Sequence, residues 1–150
     1  MSIDKDIHQS NFKNQHQRAL VNLIFTYNWT TSKLKMLFDK EDLTMQQFNI
    51  LRIVRGSEKA LSTLQIRERM LDKMSDSSRI VDRLVIKGLL KKNISKTDKR
   101  LVEVAITERG KRGLKKMDLQ EDELHQIVRA LSDKEAKTLN KLLDKIRESQ

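Results

Sequence analysis

Two short stretches of this chain hold the side chains best suited to chemistry with an anion. The first is Ser75-Asp76-Ser77-Ser78-Arg79, with Asp82 and Arg83 close behind. Small hydroxyl residues at the start of a helix bring free backbone N–H groups close to a phosphate, and an arginine fork matches the two acceptors on a guanine edge. The second is Lys96-Thr97-Asp98-Lys99-Arg100, a cation cluster lying between two partly apolar segments. At the tip of a hairpin, such a cluster offers an arginine to the strongly negative minor groove of a duplex. Lys96, Lys99 and Arg100 would make that contact, and Asp98 would support it by fixing the turn or orienting an arginine. Both stretches also have a plainer explanation: Ser75 a simple cap, Asp76 a charge offsetting the helix dipole, Arg79 solvated, and Asp98 a turn former among exposed cations.

Other chemistries find few candidates. The chain has no Cys, which excludes disulfides, thiolate nucleophiles, Cys-ligated metals and thiol redox sensing. His8 and His16 lie in a polar N-terminal stretch and His125 is far from them, so no metal site is expected and no cofactor is called for. There is no Gly-rich phosphate loop, and an enzyme is not expected. No run of about 18 apolar residues is present, and Met1-Ser2-Ile3-Asp4-Lys5 carries an acid where a signal peptide has a basic start. No membrane association and a cytoplasmic location are the corresponding expectations.

The charge is unevenly placed. Of a net +10 over 150 residues, residues 61 to 113 hold 14 basic and 7 acidic groups, whereas residues 114 to 150 are balanced at 8 and 8. A localised phosphate-binding face would give this distribution, and so would a generally basic solvated surface.

The elements that must position these residues follow from periodicity and capping. Leu20, Leu23, Ile24, Tyr27, Leu34 and Phe38 recur at helical spacing and predict one long helix from about Phe12 to Phe38. Leu43-Thr44-Met45-Gln46-Gln47-Phe48 and Leu61-Ser62-Thr63-Leu64-Gln65-Ile66 repeat one pattern, a hydroxyl cap with a glutamine three residues on and flanking apolar residues that staple together, so each opens a helix. Ser75 is the expected cap of a fourth helix with Ile80, Leu84, Val81 and Ile86 facing inward, ended by Gly88. The period then changes to two: Leu89 to Ile94 and Val102, Val104, Ile106 read as the strands of a hairpin. Thr107 caps a helix carrying Leu114, Met117, Leu124, Ile127, Val128 and Leu131, and Ser132-Asp133-Lys134-Glu135 opens a last one with Leu139, Leu142, Leu143 and Ile146 on one face. The expected class is mainly α with a small β-hairpin wing, a winged helix-turn-helix in which the helix from Ser75 to Lys87 enters the major groove.

With these features in view, nearly the whole chain resembles the MarR family of bacterial repressors. The likeness rests on Leu43-Thr44-Met45-Gln46-Gln47-Phe48-Asn49-Ile50-Leu51, on Ser77 to Leu90 (SSRIVDRLVIKGLL) and on Asp98 to Gly110 (DKRLVEVAITERG). It implies a homodimer whose first helix and last two helices intertwine, with two winged lobes on a pseudo-palindromic operator. It also implies that Arg100 belongs to the minor-groove contact and that Asp98 supports it. The expected division is a DNA-binding lobe at about 44–112 and a dimerisation region at about 6–40 plus 113–150. The stretch from Arg67 to Met74 is longer and more charged than the family's usual turn. The Cys that the family's thiol sensors carry in their first helix is absent.

Dimerisation is also expected without the resemblance, because the terminal segments are apolar-rich, nearly neutral and not needed by a compact winged domain; capping a monomeric core is the alternative. Phe25, Tyr27 and Trp29 are candidates for a ligand crevice between the dimer and DNA-binding lobes, with core packing the plainer reading. The leading expectation is a repressor that binds double-stranded DNA as a homodimer and is released by a small-molecule effector. The alternatives are an effector-independent architectural or competitor DNA-binding protein and a winged-helix protein-interaction module.

Overall fold

The computed structural model describes residues 2–8, 10–94, 102–119, 123 and 125–148. They fall into two compact units, Met1–Met45 and Gln46–Gln150, so that residues 113–150 group with the winged lobe.

In the first unit a short helix α1 (Ile3–Asp6) precedes the long α2 (Gln15–Asp39). The start of α2 lies three residues after the expected Phe12, because Asn14 adopts extended backbone and its side chain accepts from the Gln17 amide at 2.9 Å. The helix then runs 25 residues without interruption. Leu37 and Phe38 at its end are buried, whereas Leu20, Leu23, Ile24 and Tyr27, spaced as one helical stripe, are all exposed.

The second unit is built on α3 (Met45–Arg55), β1 (Leu61–Ser62), α4 (Thr63–Arg69), α5 (Ser77–Ile86), β2 (Leu90–Ile94), β3 (Val102–Ile106), α6 (Glu108–Asp118) and α7 (Asp133–Glu148). Three of the caps read from the sequence form as expected. Ser62 accepts from Gln65 N at 3.2 Å while the Ser62 amide donates to Gln65 Oε1 at 2.9 Å, Thr107 accepts from Gly110 N at 3.0 Å, and the Ser132 amide donates to Glu135 Oε2 at 2.8 Å.

The strands form an antiparallel sheet in the order β1-β3-β2, with Leu61 opposite Val104, Lys92 opposite Val104 on the other side, and Leu90 opposite Ile106. Ile50, Leu51 and Val54 of α3, Ile66 of α4, Val81 and Leu84 of α5, Leu90 and Val104 of the sheet, and Leu114 and Met117 of α6 are all buried. Each such side chain contributes roughly 1.5–3 kcal/mol by leaving water, which makes this the rigid body on which α5 is mounted.

One helix is shorter than expected. The helix opened by Thr107 ends at Asp118, with residues 126–130 in turns, so Ile127 and Val128 do not continue it; Leu124 lies outside the described residues. The final helix keeps its apolar stripe, but Leu139, Leu142 and Ile146 are exposed.

Candidate nucleic-acid interface

The connection from α4 to α5 is organised by one carboxylate. Met70 is buried and ends α4 in an extended conformation, and the Leu71 amide donates to Asn49 Oδ1 of α3 at 3.0 Å. Asp72 then accepts from the Ser75 hydroxyl at 2.5 Å and from the Met74 amide at 3.0 Å. These bonds, the Ser75 hydroxyl foremost, hold the Asp72 carboxyl below its usual range. Of the charged stretch from Arg67 to Met74, the first three residues thus close α4, and Met70 to Met74 make an ordered connection.

This arrangement moves the start of the recognition helix. With its hydroxyl committed to Asp72, Ser75 does not cap; Asp76 does, accepting from the Arg79 amide at 3.2 Å. The helix starts at Ser77, two residues after the expected cap. Its inner face is Ser77, Val81 and Leu84, and Ile80 is half-buried. Ser77, expected as a DNA contact, is 4% exposed and lies on this inner face. Ser78, Arg79, Asp82, Arg83 and Ile86 are exposed and share one stripe at helical spacing. Ile86, expected to face inward, is 85% exposed; two residues past Leu84, its 200° rotation takes it to the opposite side.

The hairpin is fixed to this helix at the middle of its first strand and at its base. Asp82 of α5 pairs with Lys92 Nζ of β2 at 2.5 Å. At the base, Gly88 takes φ +70, the left-handed conformation that ends a helix without cost only for glycine. The Thr107 hydroxyl donates to the Gly88 carbonyl at 2.7 Å, and the Thr107 amide to the Leu89 carbonyl at 3.1 Å. Gly110 permits this approach, since a Cβ there would lie 2.3 Å from the Leu89 carbonyl oxygen. The Thr107-x-x-Gly110 clamp was read from the sequence only as a helix start. Lys96, Asp98, Lys99 and Arg100 of the hairpin tip lie outside the described residues, which leave β2 at Ile94 and resume in β3 at Val102.

The first unit holds an open cleft of about 680 Å³ between α1 and α2, lined by Ile3, Asp6, Arg18, Asn22, Phe25 and Trp29 among others. Phe25 and Trp29 share this cleft, which lies within the first unit and not in a crevice between lobes, and Tyr27, 61% exposed, does not line it. Arg18 pairs with Asp4 at 2.7 Å, tying α1 to α2. Among the described residues no group of His, Cys, Asp or Glu is placed to hold a metal ion, and no helix is long and apolar enough to cross a membrane.

No protein-family model and no curated protein matches the chain. Solved structures do. The chain is similar to a serine-substituted MarR mutant from E. coli complexed with operator DNA, at 24% identity over 91% of this chain and 99% of that one, with a TM-score of 0.79. It is similar to a MarR transcription factor from Planctomyces limnophilus at 29% identity, 89% and 98% coverage and a TM-score of 0.66. A third is BpsR of Bordetella bronchiseptica, whose DNA binding is regulated by 6-hydroxynicotinic acid, at 22% identity, 83% and 95% coverage and a TM-score of 0.69.

Proposed function

We propose that this chain, which has the winged-helix fold of the MarR-type regulators, is a DNA-binding transcription regulator that reads a specific operator with α5 and acts as a homodimeric repressor. The observation that carries this reading is the exposed stripe Ser78, Arg79, Asp82, Arg83 and Ile86, mounted on a buried core. A helix fits the width of the major groove, and an Arg paired bidentately with a guanine edge discriminates against other bases by about 1–3 kcal/mol.

Asp76 caps the helix and Asp82 is neutralised by Lys92, so the two carboxylates nearest the reading face are engaged within the protein. Lys96, Lys99 and Arg100 extend the contact to the flanking minor groove. Homodimerisation is supported by the exposed apolar stripes of α2 and α7, which a single chain leaves in water. A two-fold dimer sets its recognition helices about 34 Å apart, one turn of DNA.

Release by a small molecule is the regulatory part of the proposal, and the cleft containing Phe25 and Trp29 is its candidate site. A ligand lowers operator affinity only by binding the DNA-free arrangement better than the bound one. No enzymatic activity and a cytoplasmic location belong to the same reading.

Selection from a random duplex library by the purified chain tests it. The expected product is an inverted repeat with half-site centres about one helical turn apart. Binding without enrichment would favour an architectural protein, and no binding a protein-interaction module.

A further inference from the structure

We infer that the groove between α4 and the start of α5 reads thymine, with Leu64 and Met74 seated against its 5-methyl group. The inference rests on α5 being the helix that enters the major groove. The groove has a volume of about 390 Å³, with Leu64 and Met74 supplying apolar wall and Arg67, Ser75 and Ser78 polar wall. Met74 is 93% exposed and Leu64 63%. Apolar residues exposed singly need no explanation, but these two line one groove beside the reading stripe.

The surroundings select the kind of partner. Arg67 lines the groove and Arg79, in the first turn of α5, is exposed, which suits a polyanion rather than an apolar peptide or a lipid chain. Asp76 also lines the groove, yet its Oδ1 is bonded to the Arg79 amide as a helix cap. Of the groups that a base pair presents in the major groove, the thymine methyl is the one apolar group larger than a hydrogen; the rest are hydrogen-bond donors or acceptors apart from the small C5–H of cytosine. A pair of apolar side chains bordered by hydroxyls and arginines is complementary to that methyl in its polar setting.

The backbone that presents Met74 is held on both sides of it. Its own amide donates to Asp72 at 3.0 Å, and the next residue's hydroxyl donates to the same carboxylate at 2.5 Å. Methionine's unbranched, polarizable side chain can then adapt to a methyl group at little steric cost.

The test uses duplexes enriched from a random library by the full chain, in which each thymine is replaced in turn by deoxyuridine, removing the methyl and leaving the base pair. At one position in each half-site the uracil duplex is expected to bind about fourfold more weakly, the worth of one buried methyl-sized group. Met74→Ala should bind the thymine and uracil duplexes alike at that position, and Met74→Leu should restore the preference. Because Met74 is exposed, an unchanged melting temperature verifies the fold of both variants. If a sequence is enriched but no uracil substitution weakens binding, or Met74→Ala keeps the full preference, the inference is overturned while the DNA-reading role of α5 stands. If no sequence is enriched, both fall.

Discussion

At the scale of single residues, the start of α5 shows how one hydrogen bond reassigns its neighbours. Asp72 takes the Ser75 hydroxyl, so the cap passes to Asp76. Asp76→Ala should therefore cost about 1 kcal/mol, the usual worth of a helix cap, measured by urea denaturation. Ser75→Ala removes the hydrogen bond to Asp72 instead, so it should let the Asp72 pKa rise toward its ordinary value, a shift that loss of a cap alone would not cause. Such a choice is not legible in the sequence, where Ser75 and Asp76 are both good caps and the deciding partner belongs to the preceding turn. The burial of Ser77 is equally hidden, since a serine beside Ser78 gives no sign of which one turns inward. Arg79→Ala should relax base preference at one operator position with a loss of about tenfold or more, as a lost bidentate pair predicts. Arg100→Ala should instead weaken binding to all sequences alike and reduce the salt slope by about one, both measurable by titration at several salt concentrations.

At the scale of elements, what was legible was local. The capping boxes at Ser62 and Ser132, the cap at Thr107 and the alternation of Val102, Val104 and Ile106 each lie within a few residues, and each forms. What was not legible depends on distant partners. β1 is two residues long and is a strand only because Leu61 pairs with Val104. The Gly110 clamp is of the same kind, a close approach to Leu89 that no local pattern announces. Gly110→Ala should destabilise the second unit by about 1–3 kcal/mol, the range for overpacking, seen as a lower melting temperature. Arg55 and Asp118 tie the last turns of α3 and α6 through two hydrogen bonds, at 2.6 and 3.0 Å. The Arg55 hydrogen bond depresses the Asp118 pKa in the folded chain, so this pair stabilises above the ordinary carboxylate range and its contribution is lost as pH falls through the folded value. Both side chains are about a third exposed or more, which limits the contribution to about 1 kcal/mol or less. Asp118→Asn should remove that part of the acid sensitivity, checked by comparing wild-type and variant stability at pH 7 and pH 3.

At the scale of the whole molecule, the excess positive charge at residues 61 to 113 overlaps the expected winged lobe at about 44–112, and the structure displays five exposed residues of α5 there. Its terminal helices were read as partner-seeking because they are apolar-rich and nearly neutral, and the exposed stripes of α2 and α7 accord with that. Sedimentation at micromolar concentration should show a dimer, and Leu142→Glu with Ile146→Glu should yield a folded monomer that binds operator far more weakly. The most direct test of the central claim is an anisotropy titration comparing the selected operator duplex with a scrambled duplex of equal composition across a range of salt. Specific recognition by α5 predicts binding to the operator at least about 10³-fold tighter, as is typical of specific over non-specific complexes, with affinity falling steeply as salt rises. Equal affinity for the two duplexes would contradict it.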